Sequence, residues 1–372
     1  MSNGQDFRKP ARCRITVDGE EITDLLPLLV EASVEMSRKE PSICTLVFDT
    51  VRLEDETWQV QDGDIFVPWK PFLIEANFGD YSEEVMRGYV KEIRSDTPEQ
   101  MGNAKVIVFC QDDTMLLDRE HVRKAWSRED EAMTDGEIVT EIAGSDFDVD
   151  CEDGLTNVSL NQDGTSIQFL RDRAEANGYE LFARAGTIHF KPPQLDEDPQ
   201  ASIMVYMGKR SNCVRFSVQH DGHKPDEVRL VRSAETGTEL EEETFAPDLT
   251  LLGNDAATST NSGLAPFAWQ ISRPAGSSLE EARARAQAKA NENAWKVIAD
   301  GELDGSLYGH VLLTHRPVGV YGIGDTYGGL YYVDKVTHVF AQDGYRQSFR
   351  LLRNATGRNT EPEGGDALDA VR

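Results

Sequence analysis

No run of 18 apolar residues occurs in the 372-residue chain, so no helical membrane span is expected. Cysteine is sparse. Cys13, Cys44, Cys110, Cys151 and Cys213 are scattered, odd in number and form no C-x-x-C pair. That excludes a disulfide framework and fits free thiols in a reducing compartment. The opening MSNGQDFRKPARCR has no apolar core, so no secretory leader is expected. Basic residues are outnumbered: 38 Lys and Arg stand against 66 Asp and Glu, a formal net charge of −28. A surface of that sign repels polyanions, which excludes tight wrapping of DNA or RNA. The acidity reads as a solvated shell, or as wall charge along a passage through which a polyanion slides without sticking.

Recognisable catalytic patterns are missing as well. The chain contains no G-x-x-x-x-G-K-[ST], no G-x-G-x-x-G after a strand, no G-x-S-x-G and no H-E-x-x-H. DFDVDCEDG (146–154) fails the EF-hand pattern, because placing Gly154 at loop position 6 puts Val149 and Cys151 where oxygen ligands belong. His220-Asp-Gly-His223, with Asp226 nearby, is the one dense set of possible ligands. Its Gly and Pro neighbours make an exposed turn the plainer account. His310, His315 and His338 lie in or beside expected strands, with nothing in the sequence to bring them together. Basic and aromatic residues interleave in REHVRKAW (119–126) and GYRQSFRLLRN (344–354), read here as a solvated face and a strand edge. No catalytic, cofactor-binding or metal-binding residue is assigned, and no cofactor is expected.

What is present is mostly strand pattern. Residues 10–115 carry CRITVDG, LLVEASVEMS, SICTLVFDT, FLIEANFGD, VMRGYVKEIRSD and AKVIVFCQDD, short strands punctuated by Gly, Asp and Pro. That spacing predicts an antiparallel barrel or sandwich, with a weak helical period only around Asp24–Leu29. Residues 116–200 predict a small α+β domain, and 201–355 return to strands around one long helix at about 279–299. Residues 1–9 and 356–372 read as a flexible N-terminus and a disordered tail. The expected fold class is mainly β: two tube-like antiparallel β-barrel domains flanking an α+β insert.

The helices announce themselves by their ends. Thr134-Asp-Gly-Glu137, Thr165-Ser-Ile-Gln168 and Ser278-Leu-Glu-Glu281 are capping boxes, in which side chain and backbone satisfy each other's free donors. Gly144 and Gly178 sit where left-handed C-terminal residues belong. After Gly178, Tyr179–Phe182 and Thr187–Phe190 form a hairpin around Ala185-Gly186, closed by Pro192-Pro193. The long helix carries a stripe of Ala282, Ala286, Ala290, Ala294 and Val297, with Glu281–Arg285 and Glu292–Lys296 as i,i+4 pairs.

Taken in order, several segments resemble a known family. They are MRGYVKEIRSDT (86–97), KVIVFCQDDTMLLDR (105–119), MTDGEIVTEIAG (133–144), TSIQFLRDRAEANGYELFARAGTIHFKPP (165–193) and RPVGVYGIGDTYGGLYYVDKVTHVFAQDGYRQSFRLLRN (316–354). The chain resembles the late control gene D family of contractile-tailed phages, which is related to the hub part of VgrG spike proteins. The resemblance spans roughly 10–355. Its most diagnostic parts are the helix–hairpin and Gly329-Leu-Tyr331-Tyr332-Val333-Asp-Lys-Val336-Thr-His338. It implies a structural baseplate hub in the virion tail, assembled in the host cytoplasm and not an enzyme. The implied partners are two further copies in a homotrimer, a hexameric tail tube protein, a separate spike protein, a tape measure protein and other baseplate proteins. DNA is implied only as passing cargo, with no membrane insertion. The separate spike is expected because no room for one follows Asn354. Three other readings stand beside this one. One is the hub of an injection particle carrying protein cargo; the others, of different classes, are a cell-wall-degrading tail enzyme and a carbohydrate-binding β module, which predicts an exposed row of aromatics and monomeric behaviour.

Overall fold

The computed structural model describes residues 10–98, 104–126, 132–157, 160–233, 240–258, 262–274 and 276–360. The expected flexible N-terminus, 1–9, lies outside them, as does 361–372 of the expected tail. Residues 356–360 are placed. Ala355–Thr356 pairs with Asp255–Ala256, and Arg353 Nη2 donates to the Gly357 carbonyl at 2.7 Å. The ordered chain therefore runs past the expected boundary at 355.

The fold is mainly β with an α+β insert. A 13-stranded sheet crosses both β-rich parts. Its order is Cys213–His220, Val297–Asp304, Gly344–Arg353, Gly329–Ala341, Leu29–Ser37, Ile43–Asp49, Lys105–Asp112, Ser82–Asp96, Pro71–Asn77, Arg12–Val17 and Glu20–Glu21. Gln200–Met204 and Pro317–Tyr321 branch off this path beside Gly329–Ala341. The two β-rich parts are thus joined by a backbone ladder, running from Lys335↔Ser37 to Ala341↔Glu31.

Alternation along each strand sends one face into the core. Ile15, Leu46, Phe48, Ile74 and Val108 fill the first core, and Val311, Phe340 and Tyr345 reach into it from the second β-rich part. Ile203, Leu303, Val320, Tyr331 and Phe349 fill the second. Each buried side chain of this size contributes about 1.5–3 kcal/mol, so the shared residues weld the ladder joint. GYRQSFRLLRN lies mid-sheet between Val297–Asp304 and Gly329–Ala341, not at an edge. The weak helical period near Asp24 is only a 3-10 turn, Leu26–Leu28.

The insert packs α1 (Asp135–Ala143) and α2 (Ser166–Asn177) around Ile138, Val139, Phe169, Leu170, Ile188 and Phe190. The capping box of α1 is complete: Glu137 N donates to Thr134 Oγ1 at 3.2 Å, and Thr134 N donates to Glu137 Oε2 at 2.8 Å. The box expected at Thr165 does not form. Thr165 closes the Asn161–Thr165 strand, paired with His121, and its hydroxyl is buried without a partner. The hairpin turn has φ 51° at Ala185 and 81° at Gly186, the left-handed pair that a tight two-residue turn requires.

Helix α3 runs Leu279–Asn293, shorter than expected. Ser278 caps it by accepting from Glu281 N at 3.0 Å. The reciprocal half of the box is absent, because the Glu281 carboxylate turns to Arg285 at 2.9 Å and Arg173 at 3.5 Å. Lys296 leaves the helix to pair with Asp226, and Val297 starts a strand, so the expected Glu292–Lys296 pair is replaced. Ala282, Ala286 and Ala290 bury against Val228 and Leu230. On the α2 side the approach is tighter. A Cβ on Gly178 would stand 2.9 Å from Ala288 Cβ, so only glycine fits there.

Candidate functional site

The large sheet turns one face of its strands away from the cores. Cross-strand pairs cover it: Arg350 with Asp300 at 2.9 Å, Arg346 with Glu302 at 2.7 Å, and Lys335 with Glu35 at 2.9 Å. Beyond the Lys335–Glu35 pair, on the next strands of the sheet, runs a partly apolar band in which Val47 faces Ile107 and Thr45 faces Phe109, with Arg94 above the Phe109 ring at 5.2 Å. One end of the sheet is the Cys213–His220 strand, paired on one side only among the described residues, with Val214 60% exposed.

A second construction holds the three parts of the chain together. Arg38, buried in the turn after Leu29–Ser37, donates to Glu180 at 3.3 Å, Glu292 at 2.9 Å and Asp334 at 3.2 Å. Those partners come from the hairpin, from α3 and from the 329–341 strand. Tyr332 donates its hydroxyl to Glu180 at 2.6 Å and stacks on Trp295. Burial pushes the Glu180 carboxyl up to about 7, against the pull of Arg38. Glu292 goes the other way: despite burial it is held below the usual range by Arg38 and Lys39. Two better-placed carboxylates already share the arginine, so Glu180 loses more to dehydration than it regains. A parallel network in the insert has Arg173 forked onto Asp135 at 2.8 and 3.0 Å, with Asn157 and Asn177 completing it.

Beside Arg38 lies a cavity of about 580 Å³, walled by all three parts. Residues 83–87 form one wall and 181–185 another, with Gln200, Thr114 and Arg316 at the margins. Of its lining carboxylates, Glu40 meets only Arg171, at 3.8 Å, and the other three are engaged more closely. Glu83 takes His310 Nδ1 at 2.7 Å and Val311 N at 2.6 Å; Glu84 takes Arg87 Nε at 2.9 Å; Asp112 takes Thr114 N at 3.1 Å. Burial, with help from Asp112, lifts neighbouring Asp113 to about 6. His315 stacks on Phe182 at 3.8 Å, and burial drives its basicity well below normal.

The residues singled out from sequence scatter. His310 and His315 both line the cavity. His338 is elsewhere, buried, bonded to the Tyr345 hydroxyl at 2.8 Å and pushed down to about 3 by burial. In the 220–226 loop, His223 N donates to Asp221 at 2.8 Å, which closes a turn, and Asp226 is taken by Lys296. Among the described residues, no group of three or more His, Cys, Asp or Glu side chains is placed to hold a metal ion. The basic residues of 119–126 pair locally, Arg123 with Asp163 at 3.0 Å and Lys124 with Glu141 at 2.5 Å. Arg38 and Arg184 carry no spacing signal as single arginines in a chain that is 28% charged. Glu180 sits inside the helix–hairpin motif, the one signal that could have found it.

No curated protein matches the chain in sequence. Solved structures do match in fold. The 43 kDa tail protein of prophage MuSo2 from Shewanella oneidensis superposes with a TM-score of 0.68 at 13% identity, covering 93% of this chain and 99% of that one. A tail protein from Neisseria meningitidis MC58 gives 0.64 at 12% identity, covering 93% and 97%. The E. coli c3393 protein gives 0.52 at 12% identity, covering 96% of this chain and 78% of that one; it is described as a type VI secretion component similar to T4 bacteriophage tail proteins gp27 and gp5. At such identities the likeness establishes the fold. In sequence, residues 8–342 match the family model described as Alg8 N-terminal domain, and the chain belongs to that family.

Proposed function

We propose that the chain is a structural baseplate hub of a contractile tail. In this reading it works as a homotrimer between a hexameric tail tube and a separate spike, with an axial channel for genome passage and no catalytic role of its own. The observation that carries this is the ladder joining Gly329–Ala341 to Leu29–Ser37. A chain whose two β-rich parts, about 10–115 and 201–355, already meet edge to edge holds one copy of a repeatable joint. Three such chains, closing through the open ends of their sheets, would repeat that joint around a near-sixfold ring. The ordered late control gene D motifs and the tail-protein fold support the same role. The outward sheet face suits a channel wall, since its charges are paired across strands and its apolar band offers a sliding polyanion nothing to grip.

Light scattering of the purified chain, alone and with tube and spike proteins, tests the reading. A trimeric mass and imaged particles with three copies between tube and spike are expected. A chain that stays monomeric with both partners present overturns it, as does release of fragments from peptidoglycan by the pure protein.

A further inference from the structure

We infer that each chain carries the two halves of a second joint: the open flank of Cys213–His220 in one copy pairs antiparallel with the open flank of residues 92–96 in the next, Arg94 opposite Gln219 and Asp96 opposite Ser217. The inference starts from a likeness between the two β-rich parts. In the first, Leu29–Ser37, Ile43–Asp49, Lys105–Asp112 and Ser82–Asp96 lie side by side in that order. In the second, Cys213–His220, Val297–Asp304, Gly344–Arg353 and Gly329–Ala341 do the same. Their irregularities coincide. Val30 is the extra residue between Leu29↔Phe48 and Glu31↔Val47; Val214 is the extra residue between Cys213↔Leu303 and Arg215↔Glu302. Lys91 and Asp334 are the extra residues in Tyr89-Val90-Lys91-Glu92 and Tyr332-Val333-Asp334-Lys335. Tyr89 faces Pro71, and Tyr332 faces Pro317. Bulges are built features of a fold, so these two parts are one barrel plan used twice.

The joint within the chain uses one of the two contacts this repeat offers. Pro317–Tyr321 pairs with Gly329–Ala341 only as far as Tyr332, and Leu29–Ser37 takes the same flank from Lys335 onward. The matching flank of the first part has no such partner. Ser82–Asp96 pairs with Pro71–Asn77 as far as Tyr89, and Val90 exchanges bonds with Trp69 and Lys70. Beyond that, residues 92–96 ladder only with Lys105–Asp112 among the described residues. Gln61 reaches the Ser95 hydroxyl at 3.3 Å, a side-chain contact that leaves the backbone groups open. The counterpart of Leu29–Ser37 is Cys213–His220, which is also paired on one side only among the described residues. Unpaired flanks are templates for an added strand. Transferring the Thr337↔Glu35 register to the counterparts sets Arg94 against Gln219.

Burial and charge fit the same register. In the joint already made, Ala32, Val34 and Val336 are fully buried. Their counterparts Phe216, Val218 and Ile93 stay half-buried at the margins of the two cores. Covering them would complete both cores. Lys335 meets Glu35 on the diagonal at 2.9 Å, and the same diagonal brings Asp96 to Arg215. Neither forms an ion pair among the described residues, and Glu302, opposite Arg215, is taken by Arg346 at 2.7 Å. Glu92 falls opposite Asp221, but Arg94, already on Glu92 at 2.9 Å, stands beside both. The two flanks differ, so the contact is head-to-tail and closes as a ring.

The number of copies rests on the hub reading; the strand pairing rests on the repeat. The test uses the full chain, alone and with tube and spike proteins. Arg94→Cys with Gln219→Cys, oxidised by copper–phenanthroline, should give a covalent trimer on a denaturing gel without reductant. Each single variant, and the displaced pair Arg94→Cys with Arg215→Cys, should not. Arg215→Glu should raise the concentration of half-assembly about tenfold or more, Asp96→Arg likewise, and the two together should restore it. A trimer that gives no cross-link with the matched pair overturns the inference and leaves the hub reading standing. A chain that stays monomeric with both partners present overturns both. A dimer in place of the ring, with the matched pair not linked, means that Cys213–His220 pairs with its own strand in a sister chain, and overturns the inference as well. Should the cysteine pair fail to fold, the charge reversals decide: assembly unchanged by Arg215→Glu, or no rescue by Asp96→Arg, overturns it.

Discussion

The two β-rich parts meet through a backbone ladder backed by shared core side chains, while buried side-chain charge ties the α+β insert to both of them. The ladder between Gly329–Ala341 and Leu29–Ser37 spreads its strength over many bonds and asks little of any one side chain. The Arg38 junction concentrates its strength in one guanidinium serving three carboxylates. One joint is thus robust to substitution and the other brittle, although both hold the same molecule together.

Arg38→Ala gives the sharpest test of that contrast. It leaves Glu180, Glu292 and Asp334 without their shared cation and should cost about 3–5 kcal/mol in chemical denaturation. A loss below about 1 kcal/mol would mean the junction is not brittle. The ladder should yield only to an attack on its backbone. Thr337→Pro, mid-strand between two partners, removes a ladder donor and should separate the parts or abolish folding, read by proteolysis between them. A smaller effect is expected where α3 meets the sheet. Ala286→Leu overfills the contact with Val228 and Leu230 and should cost about 1–3 kcal/mol in the same denaturation assay.

The junction should also respond to pH. Because the folded Glu180 carboxyl titrates near 7, above its unfolded range, the folded state binds the extra proton. Its contribution is fully present below the unfolded value and is lost as pH rises through about 7. Glu180→Gln should flatten that part of the stability–pH curve. An unchanged slope in the variant would remove Glu180 as its source. The mildest change is Lys335→Ala, across the ladder from Glu35. It breaks an exposed pair and should shift stability by less than about 1 kcal/mol, confirming that the ladder tolerates side-chain loss.

The strands were legible because alternation is local: Leu29–Ser37 and Ile43–Asp49 show their buried faces in their own letters. The helix–hairpin was legible for the same reason, with Gly178 at φ 69° ending α2. The end of α3 was not, since Ala294 and Val297 continue the apolar period after the backbone has left the helix. The ladder joint left no trace at all. It pairs residues some 300 apart, such as Glu35 and Thr337, through groups every residue possesses. The cavity was equally hidden, because it arises where three separately readable segments fail to fill the space between them.

The half-paired Cys213–His220 strand has a consequence for how the chain is made. Its free side, with Val214 outward, is a template that any extended segment can occupy, including the same strand of a sister molecule. A closed assembly shields every such margin, whereas an open stack always leaves one uncovered. Overproduced without its neighbours, the polypeptide should drift toward insoluble, open-ended clumps, and co-production with whatever seals that margin should keep it in solution.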